Sequence, residues 1–179
     1  ATAFRKLLPA SKSTRGSIQQ ALEMLEQRAM QTMEVFEPQG IANVLHMMAK
    51  KSYTPTNAAL LPGLEKQAEN VSSTFKPQEI ANTLWAIAKL GRRPGMRLID
   101  SLEGRLRDVA DEFNAQEVSN TLWAYATMGL MPGEHTVCFL EGRLCQVVVN
   151  FNAQAISNTL WAFATLRRKP GKSIVMLIE

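Results

Sequence analysis

Four times along the chain, two carboxamides and a shorter polar or basic side chain recur at the same spacing. They are Gln39, Asn43 and Lys50; Gln78, Asn82 and Lys89; Gln116, Asn120 and Thr127; and Gln154, Asn158 and Thr165. Three residues beyond each Asn stands an aromatic ring: His46, Trp85, Trp123 or Trp161. A carboxamide offers a donor beside an acceptor, a ring offers a stacking face, and an ammonium offers charge for a phosphate. This is the chemistry of recognition. Three readings fit it: a ladder of Asn–Asn hydrogen bonds tying neighbouring segments together, a surface that reads single-stranded RNA one base per segment, or a grip on an extended peptide backbone. Arg92 and Arg93, and the run Arg167, Arg168 and Lys169, suit phosphates, and suit equally the free carbonyls at a helix C-terminus.

Bond-breaking chemistry has little support. The two histidines, His46 and His135, lie far apart in sequence, with no further ligands at metal spacing. No glycine-rich phosphate loop or nucleophile motif is present. Glu103 and Arg107 read as a solvated i,i+4 pair. The expectation is a non-enzyme with no cofactor.

The elements that position these groups follow from self-alignment. Phe36, Phe75, Phe113 and Phe151 are 39, 38 and 38 residues apart, and Pro55, Pro94, Pro132 and Pro170 close the segments. A second block, "SLEGRLRDV" at 101–109 and "FLEGRLCQV" at 139–147, recurs more loosely as "GLEKQAENV" at 63–71 and "MLEQRAMQT" at 24–32. Such a period signals stacked helical hairpins. The spacing predicts a first helix, A, over 78–90, stopped by Gly91 and Pro94, and a second, B, over 96–112. Pro62 and Gly63 are expected to weaken the B helix of the first full unit.

On a wheel of about 100° per residue, Ile80, Leu84 and Ile87 share one face, while Gln78, Asn82 and Lys89 fall on the opposite side with Trp85 beside them. The residue after each "WA" pair, Ile87, Tyr125 or Phe163, and its counterpart Met48, points to the core and varies with the gap it fills. Ala81 and Ala86 flank the polar line and let neighbouring A helices approach closely. The tryptophans are expected to be largely packed between units. The fold class is therefore all-α, a right-handed-type α-solenoid of stacked helical hairpins. Its parts are a basic leader over 1–16, then the array over 17–179: a B helix over 17–35, units over 36–74, 75–112 and 113–150, and a partial unit over 151–179.

Composition agrees with a folded chain: 46% hydrophobic and 20% charged residues in 179. No run of about 18 apolar residues exists to span a membrane. The net charge of +4 is confined to the opening, where Arg5, Lys6, Lys12 and Arg15 stand without an acid; the remaining 16 basic residues match 16 acidic ones. That opening reads as a solvated linker or the remnant of an organelle transit peptide. Cys138 and Cys145, seven residues apart in one helix, read as buried thiols rather than a disulfide. The closing "SIVMLIE" reads as the start of another B helix, leaving an apolar face for further repeats or a partner to cover.

The unit "FKPQEIANTLWAIAKLGRRPG" resembles the octotricopeptide repeat, a helical-hairpin family with a period near 38, and the resemblance covers roughly 17–179. It departs at "PQGIANVLHMMAKKSY", where Gly40 enters the first turn and His46 replaces Trp. The resemblance implies single-stranded RNA as partner in an organelle, chloroplast or mitochondrion, with roles in stability, processing or translation. It implies RNA-facing positions at Gln78, Asn82, Lys89 and their equivalents. The alternative is a scaffold bound to other protein subunits of an organellar complex.

Overall fold

A computed structural model describes residues 12–169 and 171, and among these the chain is all-helical. Eight α-helices run as α1 (Lys12–Gln31), α2 (Pro38–Lys51), α3 (Leu60–Asn70), α4 (Pro77–Lys89), α5 (Met96–Asp108), α6 (Ala115–Met128), α7 (Glu134–Val147) and α8 (Ala153–Thr165). The A helices α2, α4, α6 and α8 pack side by side in chain order, and so do the B helices α1, α3, α5 and α7. The expected boundaries shift in three places. Residues 12–16 of the basic leader are already helical, as part of α1. The B helices end earlier than expected: α5 stops at Asp108, and a separate 3-10 turn, Ala110–Glu112, follows. Pro62 and Gly63 lie inside α3, in its first turn, where a proline removes no intrahelical bond. Residues 1–11, Pro170 and the "SIVMLIE" segment lie outside the described residues.

Local chemistry explains the ends. Asn114 and Asn152 cap α6 and α8, each accepting a bond from a backbone N–H three residues on. Glu79 and Glu117 return to the cap backbone of α4 and α6. Each A helix closes in the same way, with Ser52, Gly91, Gly129 or Arg167 in the left-handed region. The next N–H, from Tyr53, Arg92, Leu130 or Arg168, returns to a carbonyl five residues back. Glycine takes that conformation without strain, so Ser52 and Arg167 hold it at a cost.

The core alternates between layers. Ile41, Leu45, Ile80, Leu84, Ile87 and Tyr125 from the A helices meet Leu64, Leu102, Leu106 and Leu140 from the B helices, all essentially without solvent exposure. Ala42, Ala81 and Ala86 are buried too, which allows the A helices to pack closely. Phe75 and Phe113 are fully buried at the head of α4 and α6. The carbonyls of Phe75 and Phe113 accept the Nε–H of Arg105 and Arg143 at 2.8 and 2.6 Å, and Gln67 plays the same part for Phe36 at 3.1 Å. So Gln67, Arg105 and Arg143, from α3, α5 and α7, each clamp their own unit.

The Glu two residues earlier joins one unit to the next, which overturns the reading of Glu103 as partner of Arg107. The Glu103 carboxylate accepts hydrogen bonds from the Tyr125 hydroxyl at 3.0 Å, the Thr136 hydroxyl at 2.8 Å and the Gly133 N–H at 3.2 Å, all in the following unit. A side chain on Gly133 would collide with that carboxylate, its Cβ falling 2.8 Å from Oε2. Glu26 does the same for Tyr53, Thr56 and Asn57. Burial works to raise the Glu26 pKa, but these bonds outweigh it and hold the carboxyl below its ordinary value. Tyr53 is pushed up to about 12, first by burial and then by its bond to Glu26. Glu141 takes the Gly171 N–H at 3.3 Å, and Glu65 takes the Arg92 guanidinium at 2.8 Å.

The thiols differ from expectation. Both cysteines are free and lie in α7, but Cys138 is exposed and Cys145 half-buried. Cys138 replaces Asp100 of the preceding unit, so it sits on the solvent side of the helix.

Candidate nucleic-acid interface

The predicted recognition residues fall on one face of the A-helix layer. Gln39, Gln78, Gln116 and Gln154 are exposed, as are Asn43, Lys50, Lys89, Thr127 and Thr165. Asn82, Asn120 and Asn158 are half-buried. Helical geometry dictates this, since Gln, Asn and the last position lie four and seven residues apart, one turn and two turns along a single stripe. Among the described residues, none of the eight amides makes a side-chain hydrogen bond. The Asn ladder is therefore absent, and each amide keeps both its donor and its acceptor.

What runs continuously across the helices is the set of rings. His46 to Trp85 is 5.1 Å between centroids, Trp85 to Trp123 is 6.2 Å and Trp123 to Trp161 is 6.4 Å, the last two tilted by 34°. Trp85 and Trp123 are partly buried against the core, as expected. Trp161 is not: nearly half of it, 46%, is exposed. Burial, with the nearby Lys50 charge adding to it, holds the His46 imidazole below its ordinary pKa. It is neutral at neutral pH and acts as a ring rather than a cation.

The loop cations divide into two kinds. Arg92 is held by Glu65. Arg168 forms a two-pronged pair with Glu134, at 3.1 and 3.2 Å, and lies 3.6 Å from Glu141. These two close seams between units. Arg93, Arg167 and Lys169 are exposed and have no acidic partner among the described residues, so they, with the line lysines Lys50 and Lys89, are among the cations open to a ligand. Among the described residues, no group of three or more His, Cys, Asp or Glu is placed to hold a metal ion, and no helix is long and apolar enough to cross a membrane.

Two clefts open between A helices. One, of about 520 Å³, lies between α6 and α8 and is walled by Gln116, Asn120, Gln154 and Asn158. The other, of about 400 Å³, lies at the N-terminal ends of α2 and α4, walled by the turns that lead into them, and carries Glu37, Lys76 and Glu79 beside Gln39. Sequence reasoning found the amides but not the clefts, which depend on how far apart adjacent helices sit.

A stripe of unpaired amides over stacked helical hairpins is the setting in which the sequence comparisons apply. The model of the Tbc2 translation factor, N-terminal domain, matches residues 64–177, well over half of the chain. The chain belongs to that family. The Tbc2-type region begins within α3 and takes in every unit that carries a tryptophan. A further family model, described as a protein of unknown function (DUF1601), matches residues 19–45, across α1 and the first half of α2. A search of curated proteins gave no match.

Proposed function

We propose that this chain is a non-catalytic, single-stranded-RNA-binding protein of the octotricopeptide repeat type, working in organellar gene expression in a chloroplast or mitochondrion. In this reading the paired layers form a right-handed α-solenoid, and RNA lies along the A-helix face. Gln39, Asn43, Gln78, Asn82, Gln116, Asn120, Gln154 and Asn158 meet base edges, while Lys50, Lys89, Arg93 and Arg167 meet phosphates. The observation that carries the reading is the stripe of eight amides without internal partners beside a continuous row of rings. A folded protein has no need of such a stripe for its own stability, whereas unstacked bases require both groups. The Tbc2-type family membership supports a role in translation.

Binding of the full chain to a randomised single-stranded RNA pool at two salt concentrations tests this, with the Asn82→Ala/Asn120→Ala variant in parallel. Enrichment of a short motif that the variant loses is expected. Binding that vanishes at moderate salt with no motif reflects charge alone and refutes it. A second reading, a scaffold for other protein subunits, is favoured by the apolar surface at α8, where Ile156 and Leu160 are about half exposed at 47% and 55%. Their counterparts in α4 and α6 are buried.

A further inference from the structure

We propose that the cleft between α6 and α8 is a phosphate site, in which Arg143 holds a backbone phosphodiester of the bound RNA strand. This rests on the RNA-binding reading above and goes further, because it assigns a phosphate contact to a B-helix arginine that lies outside the recognition line. The cleft has a volume of about 520 Å³, and among the described residues Arg143 is the only charged side chain in its lining. Arg143 comes from α7 and Asn150 from the turn after it, while Asn114 and Asn152 stand at the heads of α6 and α8.

The bonds each group already makes decide what it can receive. Arg143 donates Nε–H to the Phe113 carbonyl and Nη1–H to Gln146, both at 2.6 Å. These two bonds fix the guanidinium plane and leave its other N–H groups unused. Arg143 forms no ion pair among the described residues. Asn114 and Asn152 commit their Oδ1 atoms to the N–H of Glu117 and Ala155, at 3.0 and 2.8 Å. Only their amino groups remain, and an amino group donates. Asn150 adds an amide with no partner of its own. The Glu117 carboxyl feels the Arg143 charge, but it turns back to the Asn114 N–H at 2.8 Å and stays outside the lining. A fixed guanidinium among spare donors, with no carboxylate facing it, is what an oxyanion needs.

The cleft at the heads of α2 and α4 shows the opposite pattern in the same register. Gln67 stands where Arg143 does, and its amino group is already given to the carbonyls of Glu34 and Phe36 at 3.0 and 3.1 Å. Glu37 and Lys76 take the places of Asn114 and Asn152, and Glu34 and Glu79 bring further carboxylates into the lining. An anion is repelled there and attracted between α6 and α8. The two clefts of one array therefore differ in the sign of the charge they accept. A guanine edge can also meet an arginine, but a phosphate contact has a separate signature, since it weakens with salt and is the same for every sequence.

The test uses that signature. Arg143→Gln removes the charge and keeps the clamp on the Phe113 carbonyl, as Gln67 shows for Phe36. Asn150→Asp puts a carboxylate into the lining from an exposed turn position. Arg107→Gln, exposed on α5 and outside this lining, is the charge control. Each full-length variant is melted beside wild type; should one cleft variant fail to fold, the other decides. The folded proteins are titrated with a randomised single-stranded RNA pool over a range of salt, with 5′-hydroxyl and 5′-phosphate pools in parallel, and the bound RNA is sequenced. Each cleft variant is expected to lower the slope of log affinity against log salt by about 0.7, a loss of roughly fivefold near 0.1 M salt, alike for all sequences and both pools. Arg107→Gln should keep the wild-type slope. Four outcomes overturn the inference while leaving RNA binding intact: a folded cleft variant keeps the wild-type slope, Arg107→Gln lowers it as much, the loss is confined to one base at one position, or it appears only with the 5′-phosphate pool. If wild type retains no RNA, the RNA-binding reading fails and this inference falls with it.

Discussion

Replacing Glu103 by alanine tests the joint between the second and third full units. The change removes the acceptor shared by the Tyr125 hydroxyl, the Thr136 hydroxyl and the Gly133 N–H. Tyr125 and Thr136 are 0% and 2% exposed, so water cannot take the place of the carboxylate without opening the seam. Hydrogen bonds to a charged acceptor contribute about 1.5–3 kcal/mol each, and a stranded buried donor costs about 1–3 kcal/mol. These terms overlap, and a total of about 3–5 kcal/mol is expected, as for other buried polar groups that lose one partner. At about 2–4 °C per kcal/mol for a chain of this size, the melting temperature falls by roughly 10 °C. The Tyr125 hydroxyl stays protonated throughout, because burial first and the Glu103 charge second push its pKa well above its ordinary value. The assay is a thermal melt followed by circular dichroism, with Tyr125→Phe and the double variant completing a cycle. Tyr125→Phe should cost about 1–2 kcal/mol in the wild type and almost nothing once Glu103 is gone. A loss of under ~2 °C for Glu103→Ala, or strict additivity of the two changes, refutes the joint.

The remaining predictions also concern stability. Thr83, Thr121 and Thr159 have buried hydroxyls with no partner, and Val44 occupies the same position in α2. Thr121→Val should therefore raise stability by about 1 kcal/mol in urea unfolding, since a stranded hydroxyl is exchanged for a methyl of like size. For His46, the folded pKa lies below the ordinary 6.5, so the unfolded chain takes up its proton first as pH falls. Stability is complete above about pH 6.5 and declines below it. His46→Trp should abolish that part of the slope, read from urea midpoints across the same pH range.

The helices, and the C-terminal ends of the A helices, were legible because each depends on groups a few residues apart, such as Gly91 and Pro94 just past α4; the B-helix ends, where a 3-10 turn takes over, were not. The core face was legible for the same reason, since Ile80, Leu84 and Ile87 fall within one stripe of their own helix. The Glu joints were not. Glu103 and the Gly133 N–H are 30 residues apart, and nothing near Glu103 in sequence distinguishes a surface carboxylate from a shared acceptor. A local reading paired it with Arg107, four positions on. The recurrence of Glu26, Glu65, Glu103 and Glu141 at the repeat period was the available signal. For the interface, the amide stripe follows from helical periodicity. The free state of the amides and the clefts between helices follow from interhelical distance, which periodicity does not encode. The split between Arg92 and Arg93 was hidden likewise, because only the partner across the seam separates them.

The joint made by Glu65 has a mechanical consequence. The other three Glu joints grip backbone N–H groups, whose positions are fixed by the fold. Glu65 instead holds the flexible end of the Arg92 side chain, a third of which is exposed. A partly exposed ion pair is weak and loosens as salt rises. Of the four joints, the one between α3 and α5 is therefore the one whose grip depends on ionic strength. Raising the salt concentration should thus loosen the tie between the first full unit and the three tryptophan-bearing units, while the joints on backbone N–H groups hold.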